Sequence, residues 1–219
     1  LAVSPDGQRV AFAASRGGIQ QIWIRSLDAL DAQPVAGTEG GTQPFWSPDS
    51  RTIAFATGTT INAVDVLGCP VRRVCSAPSF FRGGTWSQSG VILYGSLAGG
   101  LFRVPASGGE PVLVTKPDGA RNESAHRFPS FLPDGQHFLY SGFPSSTIWL
   151  GSLDRAEAKR VAVADSPAQY AAPGYLLFVR QAVLLAQPFD ANSATLQGEP
   201  LSVARDPILD WKGSAAFSA

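Results

Sequence analysis

The chain has 219 residues, 44% hydrophobic and 16% charged, which suits one globular domain with a sizeable core and excludes a disordered chain. Its 17 basic and 17 acidic residues cancel and no basic run occurs, so neither a nucleic-acid-binding surface nor a polybasic membrane patch is expected. The richest apolar stretch, at 175 to 189, is interrupted by Arg180 and Gln181, so no membrane insertion is predicted.

A four-residue turn motif recurs about every forty residues. It reads Ser4-Pro5-Asp6-Gly7, Ser47-Pro48-Asp49-Ser50, Ser87-Gln88-Ser89-Gly90 and Leu132-Pro133-Asp134-Gly135, with a degraded copy at 171 to 179. Proline fixes φ at the second turn position, aspartate accepts hydrogen bonds from following amides, and glycine tolerates positive φ. The motif is therefore predicted to reverse the chain between two strands, with structural roles for Pro5, Asp6, Gly7, Pro48, Asp49, Pro133, Asp134 and Gly135.

Each turn is followed by three β-rich runs and preceded by one, which gives four strands per repeat. The runs directly after the turns are RVAFAA, RTIAFAT, VILYG, HFLYSG and YLLFVR. A period near forty residues with four strands is typical of a propeller blade. The sequence predicts an all-β propeller of four-stranded antiparallel blades around a central channel, with almost no helix. Aromatic residues beside the turns, among them Trp46, Trp86, Phe131, Phe55, Tyr94 and Tyr140, are expected to pack between blades.

The period places five blades at about 1–39, 40–79, 80–122, 123–167 and 168–207. The last segment, 208–219, contains GSAAFSA, which resembles the first strand of another repeat. This strand either closes a five-bladed ring by pairing with blade 1 or begins a sixth blade, and we favour the second. Because position 1 is Leu and Met is absent, we expect the chain to be a piece of a longer protein.

The segment FWSPDSRTIAFAT, with IWIRSLD and PVAG after the turns, resembles the TolB-like propeller repeat, a relative of the WD repeat, over essentially the whole chain. The segments RGGTWSQSGVILY, ESAHRFPSFLPDGQHFLYSG and LLAQPFDANSATLQGEPLSVA are similar to the propeller region of bacterial eukaryotic-like serine/threonine protein kinases. That resemblance implies at least six blades and an extracytoplasmic, non-catalytic sensory domain joined through a membrane helix to a kinase. Neither the helix nor a kinase motif lies within these residues. Blade 3 departs from the repeat, since its turn lacks both Pro and Asp.

The segments that precede the innermost strands converge on the propeller axis. They carry six polar candidates for a ring at the channel mouth: Gln43, Arg82, Thr85, His126, Arg127 and Tyr170. Guanidinium groups recognise carboxylates and phosphates, so the two arginines predict a small anionic ligand or a carboxylate-bearing peptide end. The alternative is that His126 and Arg127 anchor blade 3 to blade 4, with Glu123 paired to one of them.

No catalytic, metal-binding or cofactor motif is found. The sequence has neither a Gly-x-Ser-x-Gly elbow nor a Gly-rich phosphate loop, although a carboxylate pair formed by distant acids is not excluded. His126 and His137 lack a third partner for a metal. Cys69 and Cys75 flank a predicted strand, which separates them too far for a disulfide, so two free thiols are expected.

Three functions fit these observations. The first is a ligand- or protein-binding sensory propeller of a membrane kinase, located outside the cytoplasm by resemblance, with an unknown protein or small anion as partner. The second is a freestanding periplasmic TolB-like scaffold. The third is the propeller domain of a hydrolase or lyase.

Overall fold

The computed structural model describes residues 1–68, 70–207 and 217–218. It contains five antiparallel sheets, each formed by strands consecutive in the chain. Blade 1 comprises β1 (Ala2–Val3), β2 (Arg9–Arg16), β3 (Ile19–Ser26) and β4 (Ala32–Pro34). Blade 2 comprises β5 (Thr42–Trp46), β6 (Thr52–Thr57), β7 (Thr60–Asp65) and β8 (Arg72–Ser76). Blade 3 comprises β9 (Phe81–Trp86), β10 (Val91–Ser96), β11 (Phe102–Pro105) and β12 (Val112–Leu113).

Blade 4 comprises β13 (Glu123–Phe131), β14 (His137–Pro144), β15 (Thr147–Ser152) and β16 (Lys159–Val163). Blade 5 comprises β17 (Gln169–Ala171), β18 (Tyr175–Arg180), β19 (Val183–Asp190), the short β20 (Thr195–Leu196) and β21 (Leu201–Arg205), and β19 pairs with both of the last two. A 3₁₀ turn at Gly119–Arg121 is the one helical element in the part of the chain described. The predicted fold, a five-bladed propeller almost without helix, is confirmed.

Each pair of consecutive blades shares its own apolar core. The core between blades 2 and 3 contains a series of stacked rings in which Phe45, Phe81, Tyr94 and Phe102 have successive centroids 5.9, 6.2 and 5.7 Å apart. Three further clusters lie between blades 1 and 2, 3 and 4, and 4 and 5. Because a single blade exposes two apolar faces, burial against its neighbours is what stabilises it.

The turn motif forms a local hydrogen-bond network. In blade 2, Ser47 Oγ accepts from Thr52 N at 2.9 Å, while Asp49 Oδ1 accepts from Ser47 Oγ at 2.5 Å and from Arg51 N at 3.1 Å. Blade 1 has the same arrangement around Ser4 and Asp6. In blade 4 a leucine replaces the serine. Asp134 Oδ1 there accepts directly from the backbone N–H groups of Gln136 and His137, both at 2.9 Å.

Three innermost strands carry a β-bulge at equivalent positions. The bulged residues are Gln43 in β5, Gly83 in β9 and Phe128 in β13, with φ of 49°, 82° and 52°. The pairing register of each strand shifts at the same place. A bulge reverses the alternation of side chains between the two faces of a strand. It therefore decides which residues of the inner strand face the axis.

Two predictions fall partly outside the described residues. Cys75 on β8 is a buried free thiol whose pKa is raised by burial, whereas Cys69 lies outside. The predicted extra strand near 213–217 also lies outside except for Phe217, and the next residue, Ser218, accepts a hydrogen bond through Oγ from Val3 N at 3.1 Å. Across the described ranges, the structure contains no helix that is long and apolar enough to cross a membrane.

Candidate functional site

Two cavities lie along the propeller axis, and all five innermost strands or the segments just before them contribute to each. The upper axial cavity has a volume of about 200 Å³. Its polar side chains are Gln43, Thr85, Ser130, Gln169 and Ser218. The lower axial cavity, at the end where the turn motifs lie, has a volume of about 360 Å³. Its aromatic side chains are Phe45, Trp46, Trp86, Phe131 and Tyr170.

Neither axial cavity is lined by a charged side chain. Among the described residues, both linings lack Asp, Glu, His, Lys, Arg and Cys and present hydroxyl, amide, aromatic and backbone groups instead. An ion that enters such a space loses hydration without gaining a counter-charge, which is strongly unfavourable. The channel is therefore suited to uncharged groups.

Two of the predicted ring residues, Gln43 and Thr85, lie on the upper axial cavity and also join neighbouring blades. Gln43 Nε2 donates to Phe81 O at 3.1 Å, and Gln43 Oε1 accepts from Gly83 N at 3.0 Å, so this amide bridges blades 2 and 3. Thr85 Oγ1 accepts from Phe131 N at 3.2 Å, which joins blade 3 to blade 4. The positive φ of Gln43 aims its amide across the interface.

The lower axial cavity holds the third predicted residue with an axial position, Tyr170. Tyr170 and Trp86 are both half-buried, and among the described residues neither the Tyr170 hydroxyl nor the Trp86 indole N–H is hydrogen-bonded to the protein. By contrast, Trp46 Nε1 donates to Ala2 O at 2.9 Å. The sequence predicted Trp86 only as a core residue, because a repeat pattern does not show which indole N–H groups face the channel.

The remaining three predicted residues do not join the ring. Arg82, His126 and Arg127 line neither axial cavity and are buried in the interface between blades 3 and 4, with 8%, 3% and 7% of their surface exposed. The two arginines directly precede the bulges at 83 and 128, which turn their side chains away from the axis. The six residues predicted as one ring are thus divided between the channel and this interface.

His126 belongs to a buried hydrogen-bonded network with Glu123. Its Nε2 lies 3.2 Å from Glu123 Oε2, and its Nδ1 lies 2.7 Å from Thr115 Oγ1. An ionised Glu123 carboxylate can only accept, so the proton of a neutral His126 lies on Nε2. His126 Nδ1 then accepts from the Thr115 hydroxyl, whose oxygen also accepts from Leu101 N at 2.9 Å. Burial lowers the pKa of His126, although the neighbouring carboxylate opposes this shift.

Glu123 accepts further hydrogen bonds from blade 4. Trp149 Nε1 donates to Glu123 Oε1 at 2.7 Å, and Ser145 Oγ donates to the same oxygen at 3.3 Å. The Tyr140 ring packs on His126 with centroids 4.6 Å apart. The sequence suggested that Glu123 pairs with His126 or Arg127, and the structure pairs it with His126. The roles of Trp149 and Thr115 were missed, since they lie 26 and 8 residues away from it in the chain.

The second histidine lies elsewhere. His137 is on the surface, where its Nδ1 is 2.6 Å from Asp134 Oδ2 of the same turn. Across the described residues, no group of three or more His, Cys, Asp and Glu side chains is arranged to hold a metal ion.

Comparison with known proteins supports the fold. No family model matches the chain. It is 26% identical over 144 residues to the uncharacterized peptidase YuxL of Bacillus subtilis, a match that covers 63% of this chain and 20% of YuxL. Among solved structures it is similar to TolB from Acinetobacter baumannii, with a TM-score of 0.73 at 13% identity, covering 94% of this chain and 54% of TolB.

A manganese complex of an oligogalacturonate lyase is also similar, with a TM-score of 0.64 at 14% identity, covering 95% of this chain and 65% of the lyase. The chain spans about a fifth of the length of YuxL and about half that of TolB. At these identities the likenesses show a TolB-like propeller fold, which binding proteins and enzymes share.

Proposed function

We propose that the chain is a non-catalytic binding propeller whose ligand or partner segment enters the axial channel. The observation that carries this proposal is the uncharged lining of both axial cavities within the described residues. Acid–base and nucleophilic catalysis generally depend on titratable groups with perturbed pKa values beside the reacting atoms. The buried side chains of Glu123 and His126 are instead hydrogen-bonded to one another between blades 3 and 4.

The lower axial cavity favours an uncharged ligand rich in hydrogen-bond acceptors. Its aromatic walls provide apolar contact, while the Tyr170 hydroxyl and the Trp86 indole N–H are donors that no described residue of the protein occupies. Peptide carbonyls on an extended segment match such donors, since the backbone of an extended segment has no internal hydrogen bonds. A partner inserted in this way would be recognised by its neutral backbone.

Tryptophan fluorescence provides a direct test, because Trp46 and Trp86 both line the lower axial cavity. The probes are end-blocked tetrapeptides of proline, alanine and serine, each compared with a version carrying one lysine or aspartate. We expect saturable quenching by neutral peptides and weaker binding of charged ones. Tyr170→Phe should reduce the affinity about threefold to tenfold by removing one donor.

Trp23→Phe is the matched control for this experiment. Trp23 Nε1 donates to Ala14 O at 3.2 Å, and the residue lines neither axial cavity, so its replacement should leave the affinity unchanged. Equal binding of charged and neutral peptides would contradict the proposed ligand class. Cleavage of a probe, detected by mass spectrometry, would contradict a non-catalytic role.

The finer proposal is that this propeller is the extracytoplasmic sensory domain of a membrane-bound serine/threonine kinase. Its support is the resemblance of ESAHRFPSFLPDGQHFLYSG and neighbouring segments to kinase-associated propellers. The parent gene tests this directly, since a kinase domain and a membrane helix upstream are required. A signal peptide alone would instead favour a freestanding periplasmic scaffold.

A second candidate, the propeller domain of a peptidase, is favoured by the match to YuxL. It requires a hydrolase domain beside the propeller in the parent gene. The catalytic residues would then lie in that domain, and the axial channel would contact or admit its substrate.

A further inference from the structure

A buried arginine between blades 3 and 4 has unused hydrogen-bonding capacity. Arg127 on β13 is only 7% exposed, and its Nη2 donates to Leu97 O at 3.0 Å. Its Nε is buried and has no hydrogen-bond partner among the residues that the structure describes. The flat face of the guanidinium packs on Phe143, with Cζ 3.6 Å from the ring centroid. The group is fixed from two sides and retains one buried N–H without an acceptor among the described residues.

A second unused polar atom lies directly opposite. Ser141 on β14 is the cross-strand partner of Arg127, and its Oγ is also buried, with no hydrogen-bond partner in the described ranges. Directly opposed residues of an antiparallel pair point to the same face, with Cβ atoms roughly 5 Å apart. Buried polar atoms are nearly always hydrogen-bonded, so two unsatisfied ones on adjacent positions indicate a missing partner that accepts from both.

The electrostatics identify the charge of that partner. Burial of Arg127 lowers the pKa of its guanidinium, and the charge of Arg82, which is also buried, lowers it further. Within the residues that the structure describes, Arg127 forms no salt bridge, because the neighbouring acid, Glu123, is directed at His126. A buried guanidinium is costly unless an anion offsets its charge.

We propose that Arg127 and Ser141 form a binding site for a carboxylate. One carboxylate oxygen accepts from Arg127 Nε–H and the hydroxyl of Ser141 donates to the carboxylate. This site is separate from both axial cavities and does not depend on the function proposed for them.

The rim of the site selects the group that carries the carboxylate. Phe143 and Leu97, which contact the Arg127 guanidinium, are 43% and 40% exposed. Phe80, whose carbonyl accepts from Leu97 N at 2.7 Å, is 56% exposed. Exposed apolar side chains around a buried cation fit a carboxylate attached to an apolar group, either a small organic acid or the end of a peptide with an apolar last residue.

Titration calorimetry with N-acetyl-leucine tests the carboxylate, and N-acetyl-leucinamide is the uncharged matched probe. We expect heat of binding for the acid at millimolar concentration and at least about tenfold weaker binding of the amide. Inorganic phosphate, which lacks the apolar part, should bind more weakly than the acid. Equal binding of acid and amide, tighter binding of phosphate, or no heat with the acid would each overturn the proposal.

The length of the probe distinguishes a peptide end from a small organic acid as the source of the carboxylate. An N-acetylated tripeptide ending in leucine should bind more tightly than N-acetyl-leucine if a peptide end is the ligand, because added residues contact the apolar rim. Equal affinities assign the site to a small organic acid. Either result supports the carboxylate site.

Ser141→Ala is the decisive variant, because the hydroxyl has no partner in the part of the chain that the structure describes, so its loss should leave stability unchanged or slightly raised. We expect the affinity for N-acetyl-leucine to fall about tenfold. Arg127→Lys keeps the charge but loses the planar donor set and should weaken binding by a similar factor. Ser124→Ala, which removes an exposed hydroxyl bonded to Phe143 O at 3.3 Å, is the control that should have no effect. Unchanged affinity in a folded Ser141→Ala variant would refute the site.

Discussion

Removal of the Glu123 carboxylate should destabilise the interface between blades 3 and 4 more than any exposed substitution. The side chain is only 2% exposed and accepts hydrogen bonds from Trp149 Nε1 and His126 Nε2. In Glu123→Ala both donors remain buried without an acceptor. Each unsatisfied buried donor costs about 1–3 kcal/mol, so the two together cost about 2–6 kcal/mol.

We therefore expect the free energy of unfolding to fall by about 4 kcal/mol. For a domain of this size, each kcal/mol corresponds to roughly 2–4 °C, which predicts a decrease in Tm of roughly 8–16 °C. Urea unfolding followed by far-ultraviolet circular dichroism measures the change without relying on Trp149 fluorescence. Glu199→Ala, which removes an exposed acid from the loop before β21, is the matched control and should stay within about 0.5 kcal/mol of the parent.

A double-mutant cycle with Trp149→Phe isolates the shared hydrogen bond. If the 2.7 Å contact contributes as argued, the double variant should lose less stability than the sum of the two single variants. Strict additivity would show that the two residues act independently. A Glu123→Ala variant as stable as the Glu199→Ala control would refute the account of this network.

Three further outcomes are expected. Burial lowers the pKa of His126 below its ordinary value of 6.5, so the stability contributed by the neutral ring is complete above about pH 6.5 and is lost as pH falls below it. Urea unfolding between about pH 7 and 5.5 should therefore show a steeper loss of stability for the parent than for His126→Gln, and parallel curves would contradict this. Asp49→Ala should cost about 1 kcal/mol, at the low end because the turn is exposed, while peptide binding in the channel is unchanged; a variant with parental Tm but altered affinity would reverse the assignment. Gly83→Ala should lower the stability in thermal unfolding by about 2–4 kcal/mol, because φ is 82° and a Cβ would lie 2.7 Å from the Phe128 ring. The control Gly90→Ala, at φ 77° with open space around it, should cost only about 1–2 kcal/mol, and equal losses would show that the contact with Phe128 is irrelevant.

The blade period and the turns were predictable because the interactions that specify them are local. Ser47, Asp49 and Thr52 lie within six consecutive positions, and their hydrogen bonds close the turn without help from distant residues. The alternation of apolar residues in each following strand is equally local. These features fix an all-β chain of repeated four-stranded units, since such units bury their faces only by stacking.

The buried network around Glu123 was predictable only in part. Glu123 and His126 are three residues apart in the chain, so their pairing was one of the stated alternatives. Thr115 and Trp149 enter from blades 3 and 4 through tertiary contacts, which no local pattern specifies.

The sequence by itself determined which segments approach the axis, because the turn motifs and strand periods place them there. Only the tertiary structure decided which side chains face the channel. The bulges at Gly83 and Phe128 interrupt the alternation that sequence reasoning extends along a strand, and they send Arg82 and Arg127 into the interface between the blades. Which buried atoms remain unsatisfied, such as Arg127 Nε and Ser141 Oγ, is likewise a property of packed neighbours, because hydrogen-bond satisfaction depends on distances that arise only after the blades are assembled.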